Sequence, residues 1–121
     1  MKPIAKLKKK RKLEAEVTAE IKWALQIIGL WPRYVWKHWS GMGSAPGISD
    51  LMGVIPGIEK AFYCEIKRPG GKLSPAQADF LGRMKEAGAI AFKAEKVEDV
   101  RDALFNAGYA PAKKLRGWVT R

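Results

Sequence analysis

Thiol and imidazole are scarce in this chain: its 121 residues include one cysteine, Cys64, and one histidine, His38. A lone cysteine cannot close an internal disulfide, and it excludes a cysteine-built metal site. A single histidine likewise excludes a His-rich zinc site. The cysteine usage fits a reducing, cytoplasmic compartment. No apolar run approaches the ~18 residues needed to span a membrane. The basic N-terminus lacks the apolar stretch of a secretory signal. Acid is missing from both ends. Residues 1–12 carry seven Lys/Arg and residues 109–121 carry four, with no Asp or Glu in either segment. Residues 13–108 hold twelve basic and twelve acidic side chains, so the net charge of +11 sits in the two tails. Basic tails on a neutral body point to phosphate-backbone contact; a solubilising tail or a ribosome-like RNA binder is the other reading of charge alone.

The length suits one domain with a core that needs no staples, and the 47% hydrophobic content is ordinary for a globular chain. We expect a basic, disordered tail over 1–12, a folded domain over 13–108 and a basic tail over 109–121. Val17, Ile21, Leu25 and Ile28 recur at three- and four-residue spacing, which predicts a helix over 13–29 closed by Gly29. Residues 33–39 are aromatic and β-branched and read as a strand. A loop follows from Ser40 to Gly47, then a strand from Ile48 to Ile55 and another from Ala61 to Lys67, with a hairpin-length link at 56–60. Ser74-Pro75 opens a helix, with Ser as N-cap, Pro in the first turn and Gln77 completing a capping box. That helix runs to about Ala87. A strand over 89–94 and a helix over 96–107 complete the order α-β-β-β-α-β-α, an α/β fold with a mixed sheet.

The informative pattern is Gly47-Ile48-Ser49-Asp50-Leu51, followed by Phe62-Tyr63-Cys64-Glu65-Ile66-Lys67-Arg68-Pro69. Side chains alternate along a strand. Phe62, Cys64 and Ile66 are therefore expected to enter the core, while Glu65 and Lys67 share the other face. The hairpin returns Asp50 beside them. Two carboxylates with no nearby imidazole or thiol suit a hard divalent cation, Mg²⁺ or Mn²⁺. Such an ion can polarise a phosphate and lower the pKa of a bound water, and Lys67 could stabilise the developing charge or position that water. An isolated Glu-x-Lys is more often a surface ion pair; the surrounding pattern is what favours a site.

These residues resemble the PD-(D/E)XK nucleases, with Ser49 where the motif's name has proline. The run from Arg68 through Gln77 and the segment Lys96-Val97-Glu98-Asp99-Val100 are similar to VRR-NUC domains, although Phe92-Lys93-Ala94 stands where that family has Val-Arg-Arg. The resemblance covers about residues 14–105. It implies a restriction-endonuclease-like core. It further implies that Asp50, Glu65 and the backbone carbonyl of Ile66 bind metal, that Lys67 is the catalytic lysine, and that Gln77 orders the site from the next helix.

The family also has a glutamate on its first helix, for which Glu14, Glu16 and Glu20 are candidates. At ~100° per residue, Glu14 falls on the apolar face, Glu16 opposite it and Glu20 off the stripe, so Glu14 is the expected metal-site member. Its other reading is an acid that favours the helix dipole near a frayed start. Lys37, Ser40 and Lys72 are candidate nucleic-acid contacts. Trp31, Trp36 and Trp39 read as core or interface residues, with base stacking as the alternative. The functional expectation is a Mg²⁺- or Mn²⁺-dependent DNA endonuclease, in the form of a homodimer. The compact stand-alone format suggests a bacterial or phage protein. Resemblance alone implies selectivity for branched DNA. The rivals are a non-catalytic basic nucleic-acid binder and a nuclease acting on RNA.

Overall fold

The computed structural model describes residues 12–38 and 47–111. The expected tails lie outside these residues apart from Lys12 and 109–111, as do Ser40 and most of its loop. The element order is α1 (Glu14–Ile27), β1 (Val35–Lys37), β2 (Leu51–Ile55), β3 (Lys60–Ile66), α2 (Pro75–Glu86), β4 (Ile90–Ala94) and α3 (Val97–Asn106). This is the expected α/β order, a restriction-endonuclease-like arrangement of one mixed sheet and three helices. The strands lie in the order β1-β2-β3-β4; β1, β2 and β3 are antiparallel neighbours, and β4 joins β3 in parallel.

Residue parity decides which face each side chain takes. Leu51, Cys64 and Phe92 are in register across three strands, and so are Ile66 with Ala94 and Phe62 with Ile90. Phe62, Cys64 and Ile66 are fully buried, as the alternation predicted. They form one core with Val17, Ile21, Ala24 and Leu25 of α1 and Val100 and Leu104 of α3. Fully burying an aliphatic or aromatic side chain of this size contributes about 1.5–3 kcal/mol, so this face accounts for most of the fold's hydrophobic stabilisation. The other face is covered by α2 over β3, where Phe80 meets Tyr63 edge-on with ring centroids 5.3 Å apart.

Two expected strands are shorter than their composition suggested. Among the described residues of the 33–39 segment, 33–38, only Val35–Lys37 is strand, because Trp31–Tyr34 form turns with Tyr34 and Val35 both donating to the Leu30 carbonyl. The second strand begins at Leu51 rather than Ile48. Gly53 is opposite Val35 in register, and a Cβ on it would strike the backbone of Tyr34, just before β1.

Candidate active site

The site forms just before the start of β2, beside the end of β3. Leu51 is the first β2 residue in register with β3, opposite Cys64. Asp50 precedes the strand rather than lying on it, which corrects the sequence expectation and matters chemically. With no β2 backbone left to pair, the Ile66 N–H donates to the Asp50 side chain instead, at 2.8 Å from Oδ2. The Asp50 carbonyl accepts from the His38 N–H just past β1, also at 2.8 Å. Asp50 is thus held from both sides, and its carboxylate lies against the end of β3. The neighbouring Ser49 is buried and donates to the Leu51 carbonyl at 3.0 Å. A residue's N–H and C=O address the same neighbouring strand, so the Ile66 carbonyl also faces the Asp50 side.

Glu65 faces away from the core, yet it is only 3% exposed. The start of α2 closes over it. Ser74 caps that helix by accepting from Gln77 N–H at 3.1 Å, and Gln77 Oε1 accepts from Ser74 N–H at 2.9 Å. This capping box leaves the Gln77 amide nitrogen to donate to Glu65 Oε2 at 3.1 Å. Gly47 places the Asp50 loop against the same turn. Its φ is +78°, and a Cβ on it would run into the Ala76 carbonyl. Loop, helix cap and carboxylate are therefore packed as one unit.

Charge in this pocket is unbalanced. Lys67 Nζ lies 3.7 Å from Glu65 Oε2. Glu65 Oε1 is buried and, among the described residues, has no hydrogen-bond partner. An unpaired buried carboxylate oxygen is costly. Burial first, and then the adjacent Asp50, push the Glu65 carboxyl up to about 8, with Lys67 opposing and Glu14 adding a little. A proton shared with Asp50 relieves the crowding; so would a cation. Two carboxylates and a main-chain carbonyl are hard oxygen donors of the kind Mg²⁺ or Mn²⁺ takes, and the orphaned Glu65 oxygen is where such an ion would find an unused donor.

Asp50, Glu65, Lys67, Ile66 and Gln77 thus come together. Glu14, the exposed first residue of α1, is near enough to add to the charge felt by Glu65, but no cluster of three or more His, Cys, Asp or Glu side chains that could hold a metal forms among the described residues. Its carboxylate has no hydrogen-bond partner there, whereas Glu16 accepts from Leu13 N–H at 2.7 Å and Glu20 pairs with Lys12 at 2.7 Å. Lys37 is opposite Leu51 in register, which assigns it to the sheet face away from Glu65. Lys72 is exposed in the loop before α2. His38 Nε2 is buried with no partner among the described residues.

Sequence reasoning did not single out Lys93. It is level with Glu65 on β4. Its ammonium pairs with Glu95 at 2.9 Å and donates to the Gly71 carbonyl at 3.1 Å, while Glu95 accepts from Gly70 N–H at 2.8 Å. This network fixes the loop between β3 and α2 that carries Lys72. The departure at Phe92-Lys93-Ala94 was the available signal. A cavity of about 610 Å³ along β4 and α3 includes none of the carboxylate-pair residues.

The sequence model of the VRR-NUC domain family matches residues 3–97. No curated protein and no solved structure is detectably similar to the chain.

Proposed function

The chain belongs to the VRR-NUC domain family, a nuclease domain family of the restriction-endonuclease-like superfamily, and from that premise we propose that it is a Mg²⁺- or Mn²⁺-dependent endonuclease hydrolysing phosphodiester bonds in DNA. The observation that carries the reading is the buried, unpartnered Glu65 oxygen beside Asp50. A structural ion pair would have no use for an orphaned acceptor, whereas a cation site requires one. Asp50, Glu65 and the Ile66 carbonyl would hold the ion, and Glu14 is proposed to join them from the start of α1.

The ion, when bound, supplies Lewis acidity toward a phosphate oxygen and a lowered pKa for a bound water. The chain's own residues do the rest. Gln77 holds Glu65 through its amide and fixes the carboxylate's orientation. Ile66 N–H holds Asp50 in the same way. Lys67, half-buried on the Glu65 face, would stabilise charge developing on the attacked phosphate. The basic segments 1–12 and 109–121 add sequence-independent affinity for the phosphate backbone. Lys37, Ser40 and Lys72 are proposed as further contacts. A homodimer is the extension of this reading that the small size of the domain favours, and selectivity for branched DNA is the extension that the family resemblance implies. No helix among the described residues is long and apolar enough to cross a membrane.

The test is plasmid nicking with and without Mg²⁺, with matched RNA and DNA oligonucleotides in parallel. We expect Mg²⁺-dependent cleavage of DNA that disappears in folded Glu65→Gln protein. Full nicking by that variant would reject the assignment, and DNA binding without cleavage by the wild type would leave the non-catalytic reading.

A further inference from the structure

The sheet face that carries Glu65 is only partly roofed. Over β3 it lies under α2, through Phe80 on Tyr63. Over β1 and β2 the same face bears Trp36, 44% exposed, and Val54, 53% exposed, with Met52 partly buried beside them. Trp36 is directly opposite Met52, which is opposite Tyr63, two residues before Glu65. Strand spacing of ~4.8 Å and a rise of ~3.3 Å per residue put Trp36 about 12 Å from Glu65 along the sheet. Among the described residues the indole has no ring or cation partner.

We infer that Trp36, backed by Met52 and Val54, is a stacking platform for an unpaired nucleobase next to the bond that is cut. The inference rests on the nuclease reading. A strand whose phosphate reaches the Asp50–Glu65 pair passes over this open part of the same face. An exposed indole there offers a π-face to a base, and stacking of that kind is indifferent to sequence. The bases of an intact duplex are already stacked on one another, so only a substrate with an unpaired nucleotide gains. Three side chains are too few to hold a second copy stably, which makes nucleic acid the better occupant. Trp36 thereby selects DNA with a single-stranded segment at the cleavage point, whereas the basic tails attract any DNA.

The experiment uses the full chain with Glu65→Gln, so that binding is read without cleavage. Affinities are measured by fluorescence anisotropy for a blunt duplex and for the same duplex with a single-stranded flap. A 2-aminopurine at the first unpaired position reports on stacking. We expect Trp36→Ala to weaken flap binding about tenfold, to change duplex binding less than twofold and to abolish 2-aminopurine quenching. Trp36→Phe should keep most of both. Equal losses on the two substrates, or none, would overturn the inference. So would a change from dimer to monomer in Trp36→Ala, since a second copy would then own the patch. Wild-type protein that cleaves neither substrate with Mg²⁺ or Mn²⁺ would instead reject the nuclease reading and leave the binding comparison intact.

Discussion

Replacing Glu65 by Gln should make the metal-free protein more stable at pH 8, although it removes one member of an ion pair. Glu65 is almost fully buried, and its carboxyl is pushed from 4.5 up to about 8, chiefly by burial and then by Asp50. In the unfolded chain the carboxyl returns to its ordinary value. Between about pH 4.5 and 8 the folded state therefore holds a proton that the unfolded state releases. Stability is fully present below the lower value and falls as pH rises through the upper one. At ~1.4 kcal/mol per unit, the whole interval corresponds to about 5 kcal/mol. Gln mimics the protonated acid: its amide can donate to Asp50 and its carbonyl can accept from Gln77. The gain should be on the order of 2–4 kcal/mol at pH 8, after allowance for the lost attraction to Lys67. It should vanish near pH 5, where the wild type is itself protonated. For a domain of this size that means a Tm higher by about 10 °C or more at pH 8. The assay is thermal melting in EDTA across pH 5–9, repeated with Mg²⁺. Mg²⁺ should raise the wild-type Tm and leave the variant unmoved, because only a ligand of the folded state stabilises it. If the pair were structural, Glu65→Gln would strand a half-buried Lys67 and lower stability by several kcal/mol. A variant that melts below wild type at pH 8 in EDTA would refute the reasoning, and so would a wild type whose stability is flat from pH 5 to 8.

The other expectations concern the surroundings of the pair. Gly47→Ala should cost about 1–3 kcal/mol in urea unfolding, because it demands a positive φ and drives a Cβ into the Ala76 carbonyl; the displaced Asp50 loop should also lower cleavage. Gln77→Ala should remove both the bond to Ser74 N–H and the bond to Glu65, lowering stability by about 1–2 kcal/mol and turnover more than substrate affinity. A Gln77→Ala protein with unchanged turnover would show that Glu65 needs no orienting partner. Glu14→Gln should reduce metal-dependent cleavage while Glu16→Gln leaves it near normal, since Gln serves equally as the third residue of a capping box; equal activity of the two would remove Glu14 from the site.

Much of this was written locally. The spacing of Val17, Ile21 and Leu25 sets the buried stripe of α1, because helical period depends on residues within a turn or two. The alternation of Phe62, Cys64 and Ile66 against Glu65 and Lys67 sets which side of β3 carries chemistry. Ser74 and Gln77 announce a helix start through bonds that span three residues. Each of these depends on near neighbours, and each is legible without a fold.

What the tertiary structure decided is burial and termination, which depend on what arrives from elsewhere in the chain. No local rule says that β2 starts only at Leu51, so that the Asp50 side chain rather than its backbone satisfies Ile66. Parity puts Glu65 opposite the core. Only the placement of α2 over that face removes it from water and makes its second oxygen an orphan. Lys93 meets Gly71 because β4 runs parallel beside β3, twenty-two residues away in sequence. Trp36 stays open because α2 roofs β3 and not β1. The sequence by itself therefore determined which residues could do chemistry and on which face they stand. Their pKa values, their partners and their access to a substrate came from packing, since desolvation and hydrogen bonding are properties of the assembled surroundings and not of the strand that carries the side chain.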